Sequence, residues 1–93
     1  MTGDSLGSVD AVSRGEAAVK ANLRAWVMQH TRLKSVTSVS DDVDLISQRI
    51  IDSLRFVELV LQVEEMLGRV IEEDSIRVED FRTIDAIWSA YFA

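Results

Sequence analysis

Ser53 stands directly behind Asp52 at the head of an apolar run, QRIIDSLRFVELVLQVEEML, and its hydroxyl admits three kinds of chemistry. It can cap a helix, attack a carbonyl, or tether another group. Ser or Asp just ahead of an apolar helix is a common N-cap, and Asp52 can take that role while Ser53 does something else. Nucleophilic attack needs a positioned base and an oxyanion site. The only histidine, His30, is far off on another expected helix, and no Gly-x-Ser-x-Gly elbow surrounds Ser53. No catalytic residue is assigned, and enzymatic activity is not expected. A tether suits the position. A serine at a helix start is held at a defined angle, and the free N–H groups and dipole there favour an attached phosphate.

The other polar groups offer less. Asp42 and Asp44 in SDDVDL suggest a calcium loop, but the fifth and sixth positions counted from Asp42 are Ile46 and Ser47. That loop needs an oxygen ligand and a glycine there, so no metal site is expected. The chain has no cysteine, which removes disulfides, thiolate metal sites and a cysteine nucleophile. Any thiol chemistry therefore needs an added group. His30 reads as a helix-end histidine, Trp26 and Trp88 as packing, and Met28 and Met66 as gap fillers.

These groups must be positioned by helices. SRGE at 13–16 fits a capping box of Ser13 and Glu16, and Val19, Leu23, Trp26, Val27 and His30 then recur at helical spacing, predicting a helix over 14–31. A long connection, 32–52, follows, pinned by Val39, Val43, Leu45, Ile46, Ile50 and Ile51. A second helix is expected over 53–67, ended by Gly68. Arg55, Glu58, Gln62 and Glu65 form one polar stripe on it, and the rest of its circumference is apolar, so it should be largely enclosed with one wet side. RVIEEDSIRVEDFR predicts a loop with a short third helix. Thr83 caps a final helix with Ile84, Ile87, Trp88 and Tyr91 on one face. The expectation is an all-α fold, a small four-helix bundle of three longer helices and one short one, with a long loop between helices one and two. Leu23, Trp26, Val57, Leu61, Ile84 and Ile87 are the expected core.

With 93 residues, one domain is expected, 13–93, behind a mobile tail, 1–12, rich in small and polar residues. The net charge of -6 argues against a nucleic-acid partner and suits basic patches on other proteins. No apolar run is long enough to span a bilayer, and the N-terminus lacks a basic-then-apolar signal, so a cytoplasmic monomer is expected.

The segment IIDSL, the helix with ELVLQVEEMLG, and VIEEDSIRVEDFRTIDAIW together resemble the acyl carrier and peptidyl carrier protein family, over about residues 41–92. The resemblance implies a four-helix bundle whose motif serine, here Ser53, receives 4′-phosphopantetheine from a magnesium-dependent phosphopantetheinyl transferase with coenzyme A as donor. Asp52 and Leu54 flank the attachment site. It implies acyl or aminoacyl groups carried as thioesters on that arm, filled by an acyl- or aminoacyl-loading enzyme. Downstream synthases, transferases or tailoring enzymes of polyketide, nonribosomal peptide or other specialised metabolism would then receive them. Arg55, Phe56, Glu58, Gln62 and Glu65 are the matching partner-docking positions. DDVDLISQRIIDS and VEDFRTIDAIW lean toward freestanding peptidyl or D-alanyl carrier-like proteins. Many relatives have a glycine a few residues before the serine. Arg49 or Ile50 stands there here, which implies a rearranged or strained loop if the position requires positive φ. The rival from another class is an unmodified helical interaction module derived from a carrier.

Overall fold

The computed structural model describes residues 15–93. The tail at 1–12 and the proposed cap Ser13 lie outside the described residues. Among the described residues every regular element is helical, with no strand. There are three α-helices: α1, Glu16–His30; α2, Ser53–Leu67; and α3, Ile84–Ile87.

Helix α1 begins behind Gly15, which offers no side-chain cap, and Glu16 is its first residue. Glu16 serves the next turn: its carboxylate accepts from Lys20 Nζ at 2.5 Å, and the same ammonium reaches Asp85 at 2.7 Å. Asp85 first, and Glu16 second, raise the Lys20 pKa above its ordinary value. The ammonium therefore stays charged through the neutral range and joins α1 to α3. Leu23 and Val27, one turn apart, form the buried edge of α1.

The connection from Thr31 to Asp52 is stitched to the C-terminal part of the chain. The Leu45 N–H donates to the Arg82 carbonyl at 2.7 Å, and the Asp85 N–H donates to the Asp41 carbonyl at 2.9 Å. Val39, Leu45, Ile50 and Ile51 are buried, Val43 packs partly against them, and Ile46 is half-buried. Asp44 shapes the turn: its Oδ1 accepts the N–H groups of Ile46 (3.0 Å) and Ser47 (2.9 Å). The bond from Ser47 leads in holding its carboxyl below the usual carboxylate range.

Arg49 then adopts φ 59°, the only positive φ at a non-glycine among the described residues. This reversal lets the Ile51 N–H reach back to the Leu45 carbonyl at 2.9 Å. The left-handed region costs an L-residue about 1–2 kcal/mol and a glycine almost nothing. Arg49→Gly should therefore raise stability by about 1 kcal/mol, less the extra freedom glycine adds to the unfolded chain. A urea midpoint that moves up checks this. A midpoint that falls would show that the Arg49 side chain contributes more than its backbone costs.

Helix α2 is bounded as its sequence predicts, with Asp52 ahead and Gly68 behind in the left-handed conformation (φ 75°). Its packing differs from the expectation. Leu59, Val60 and Val63 are buried and Phe56, Met66 and Leu67 pack partly against the core, whereas Val57 is 56% and Leu61 58% exposed. Trp26 is likewise only half-buried. Val57 and Leu61 sit half a turn from the Leu59–Val63 edge, so the two cannot share the interior with it. The helix therefore carries an outward apolar stripe, Leu54, Val57 and Leu61, and is not largely enclosed.

The short third helix expected in 69–82 is two 3-10 turns, Glu73–Ser75 and Val78–Phe81. Ile71 and Phe81 are buried on either side of this stretch, and Ile76 between the two turns is half-buried. Thr83 caps α3 by accepting from the Ala86 N–H at 2.9 Å, and Ile84 and Ile87 are fully buried. α3 runs directly into one π turn, Trp88–Phe92, closed by the Ala93 N–H on the Trp88 carbonyl.

Candidate functional site

Ser53 is exposed and is the first residue of α2. The cap is Asp52: its Oδ1 accepts the Arg55 N–H at 2.8 Å, and its carbonyl accepts from Phe56 at 2.8 Å. The serine hydroxyl is thereby released from capping and makes no hydrogen bond among the described residues. The backbone N–H groups of Ser53 and Leu54 also have no protein acceptor among the described residues. They point along the positive end of the helix.

Among the described residues, Asp52 is the one titratable side chain lining the hollow at this hydroxyl. Asp52, its neighbour, is committed to the cap. His30 ends α1 and faces the C-terminal half of α2, where it lines a groove with Gln62, Glu65 and Arg69. At 1.5 Å per residue, Gln62 is already about 13 Å along the axis from Ser53.

Beside Ser53 lies a hollow of about 230 Å³, walled by Ile46, Ile51, Phe56 and Val78 as well as Asp52 and Ser53. Its floor is firm. Phe56 meets Phe81 edge-on at 5.4 Å and 77°, and Phe81 in turn lies 5.3 Å from Tyr91. Val78 is the wall that sequence reasoning did not connect with Ser53; its place in a mixed acidic and apolar stretch gives no sign of the contact.

The residues matched to docking positions are divided by the fold. Arg55 is half-buried and pairs through Nη1 with Glu58 Oε1 at 2.5 Å, while its Nε is buried without a partner. Phe56 is turned toward the core. Gln62 Nε2 donates to Asn22 Oδ1 on α1 at 3.3 Å, so the polar stripe flanks α2 on the side of α1. Glu65 is exposed. Leu54, at 55% exposure, shares the outer face with Val57 and Leu61 and lies next to Ser53. The three make one apolar strip on the solvent side of α2.

No group of three or more potential metal-ligating side chains converges among the described residues, and no described helix is long and apolar enough to cross a membrane. Compared with known proteins, the chain matches no family model, no curated protein and no solved structure.

Proposed function

We propose that this protein is a freestanding carrier of acyl or aminoacyl groups, with 4′-phosphopantetheine attached through a phosphodiester to Ser53. The observation that carries the reading is an exposed hydroxyl, relieved of capping by Asp52, at the first residue of a helix that ends a pinned connection. The residues present fit the group. The open N–H groups of Ser53 and Leu54 suit a phosphate, and the apolar hollow beside them suits the start of a flexible arm. When bound, the arm supplies the terminal thiol that this cysteine-free chain lacks, and acyl groups ride on it as thioesters. The chain itself presents the arm, orients it and offers a surface to the enzymes that load and unload it. The two 3-10 turns stand where a carrier bundle has its short third helix, so the fold is read as a four-helix carrier bundle with that element reduced.

Incubating the apo protein with coenzyme A, magnesium and a broad-range phosphopantetheinyl transferase, then measuring the intact mass, tests the reading. A gain of one phosphopantetheine supports it. No gain with several transferases leaves the unmodified interaction module, which the stripe Leu54–Val57–Leu61 would serve equally.

The stripe also sets what kind of contact partners make. Val57→Ser combined with Leu61→Ser should leave stability within about 0.5 kcal/mol for each exposed site. The rate constant kcat/KM for transfer from coenzyme A should fall on the order of tenfold, as when a central apolar anchor of an interface is removed. The loss should be nearly the same at low and high salt. A loss that disappears with added salt would return the docking role to the charges.

A further inference from the structure

A phosphodiester at Ser53 places a negative charge beside Asp52, and Asp52 is the one charged side chain lining the hollow there. The two like charges repel. The open N–H groups of Ser53 and Leu54 answer part of this as dipoles, not as a full opposite charge. The nearest cation on α2, Arg55, is half-buried and paired with Glu58 at 2.5 Å. Lys20, Arg24 and Arg82 are likewise paired, with Asp85, Asp41 and Asp44.

Arg49 is different. Its side chain is exposed and makes no ion pair or hydrogen bond among the described residues. It stands inside the segment from Ile46 to Ile51, and both end residues wall the hollow at Ser53. The turn that carries it is closed: the Arg49 N–H donates to the Ile46 carbonyl at 3.0 Å, and the Ile51 N–H to the Leu45 carbonyl at 2.9 Å. Its φ of 59° costs backbone energy that glycine avoids, and no side-chain bond in the described fold offsets that cost. A strained residue whose side chain has no structural partner points to a role that begins when a ligand arrives. Guanidinium is always charged, and its planar fork matches two oxygens of a phosphate at once. A phosphodiester keeps two unesterified oxygens.

We propose that Arg49 is a positioning residue for the phosphate of the group esterified to Ser53, pairing with its two free oxygens and setting the direction in which the arm leaves the helix. The proposal rests on the reading of Ser53 as the attachment site. It adds a second anchor for the phosphate, on the connection and not on α2. Arg77 is the other exposed arginine at this rim, next to the wall residue Val78 and ahead of a 3-10 turn. The test separates the two.

The full isotope-labelled chain is compared by NMR before and after incubation with coenzyme A, magnesium and a phosphopantetheinyl transferase, with intact mass confirming the load. In the loaded protein the Arg49 side-chain Nε–H should exchange with solvent about two- to fivefold more slowly than in the apo protein. The slowing should vanish in about 1 M salt, where the screening length is about 3 Å. Ser53→Ala, treated alike, should show no slowing. The phosphorus resonance of loaded Arg49→Gln should move away from that of the loaded parent. Arg49→Lys, which keeps the charge but not the fork, should fall between them. Unchanged exchange at Arg49 in the loaded parent, slowing at Arg77 instead, or an unmoved phosphorus resonance in Arg49→Gln would each overturn the proposal while leaving Ser53 as the attachment site. Absence of any mass gain in the parent would remove the attachment site and this role with it.

Discussion

Ser53→Ala is expected to stay folded and to accept no phosphopantetheine, an all-or-none loss that intact mass reads directly. The fold should be indifferent because the cap is made by Asp52 and the Ser53 hydroxyl bonds to nothing among the described residues. Its removal should shift stability by no more than about 0.5 kcal/mol, the range of an ordinary surface change. The exposed serines Ser47 and Ser75 supply the control, since Ser47→Ala and Ser75→Ala should load as the parent does. Loading of the Ser53→Ala protein would place the tether elsewhere and remove the assignment. Failure of Ser53→Ala to fold would show that the hydroxyl holds structure.

Phe81→Ala should have the largest effect on stability, about 3–5 kcal/mol, as for truncation of a fully enclosed aromatic side chain. Phe81 has no exposed surface and touches both Phe56 and Tyr91. A domain of this kind has about 5–15 kcal/mol in total, so the loss approaches unfolding. Leu61→Ala removes an apolar side chain as well, but one that is 58% exposed, and should cost less than about 0.5 kcal/mol. Urea denaturation of the two variants side by side gives the comparison. Similar losses at both sites would mean that α2 is rotated relative to the packing described above. Because Phe56 floors the hollow at Ser53, the Phe81 variant should also load more slowly under conditions where it remains folded.

The helices with clear punctuation were legible in the sequence. Asp52 and Gly68 bracket α2, Thr83 opens α3, and the spacing of Leu23 and Val27 marks the inner edge of α1. The side of α2 that faces inward was not legible. Its residues are apolar around most of the circumference, so periodicity could not say that Val63 is buried and Leu61 is outside. Four polar residues in line suggested the wet face, yet that line borders α1, and the outermost strip is apolar. The π turn at Trp88–Phe92 had no signature in residue spacing. Arg49 is a middle case: a missing glycine hinted at backbone strain, and the positive φ lies at that residue. The candidate site was visible as an Asp-Ser pair ahead of a helix. The hollow beside it was not, because it needs Val78 from a distant turn.

The two 3-10 turns have a mechanical consequence. Their ends are held by short-range bonds, Ser75 to Glu72, Ile76 to Glu73, Asp80 to Arg77 and a long one from Arg82 to Glu79 at 3.5 Å, with mostly exposed side chains around them. Segments of this make-up breathe at a fraction of the free energy needed to unfold the whole chain, so amides at Ile76 and Asp80 should exchange with solvent well before those of Leu59 to Val63. Val78 travels with that segment, whereas Ile51 and Phe56 do not. The wall that Val78 contributes to the hollow next to Ser53 should therefore yield more readily than the floor that Phe56 provides.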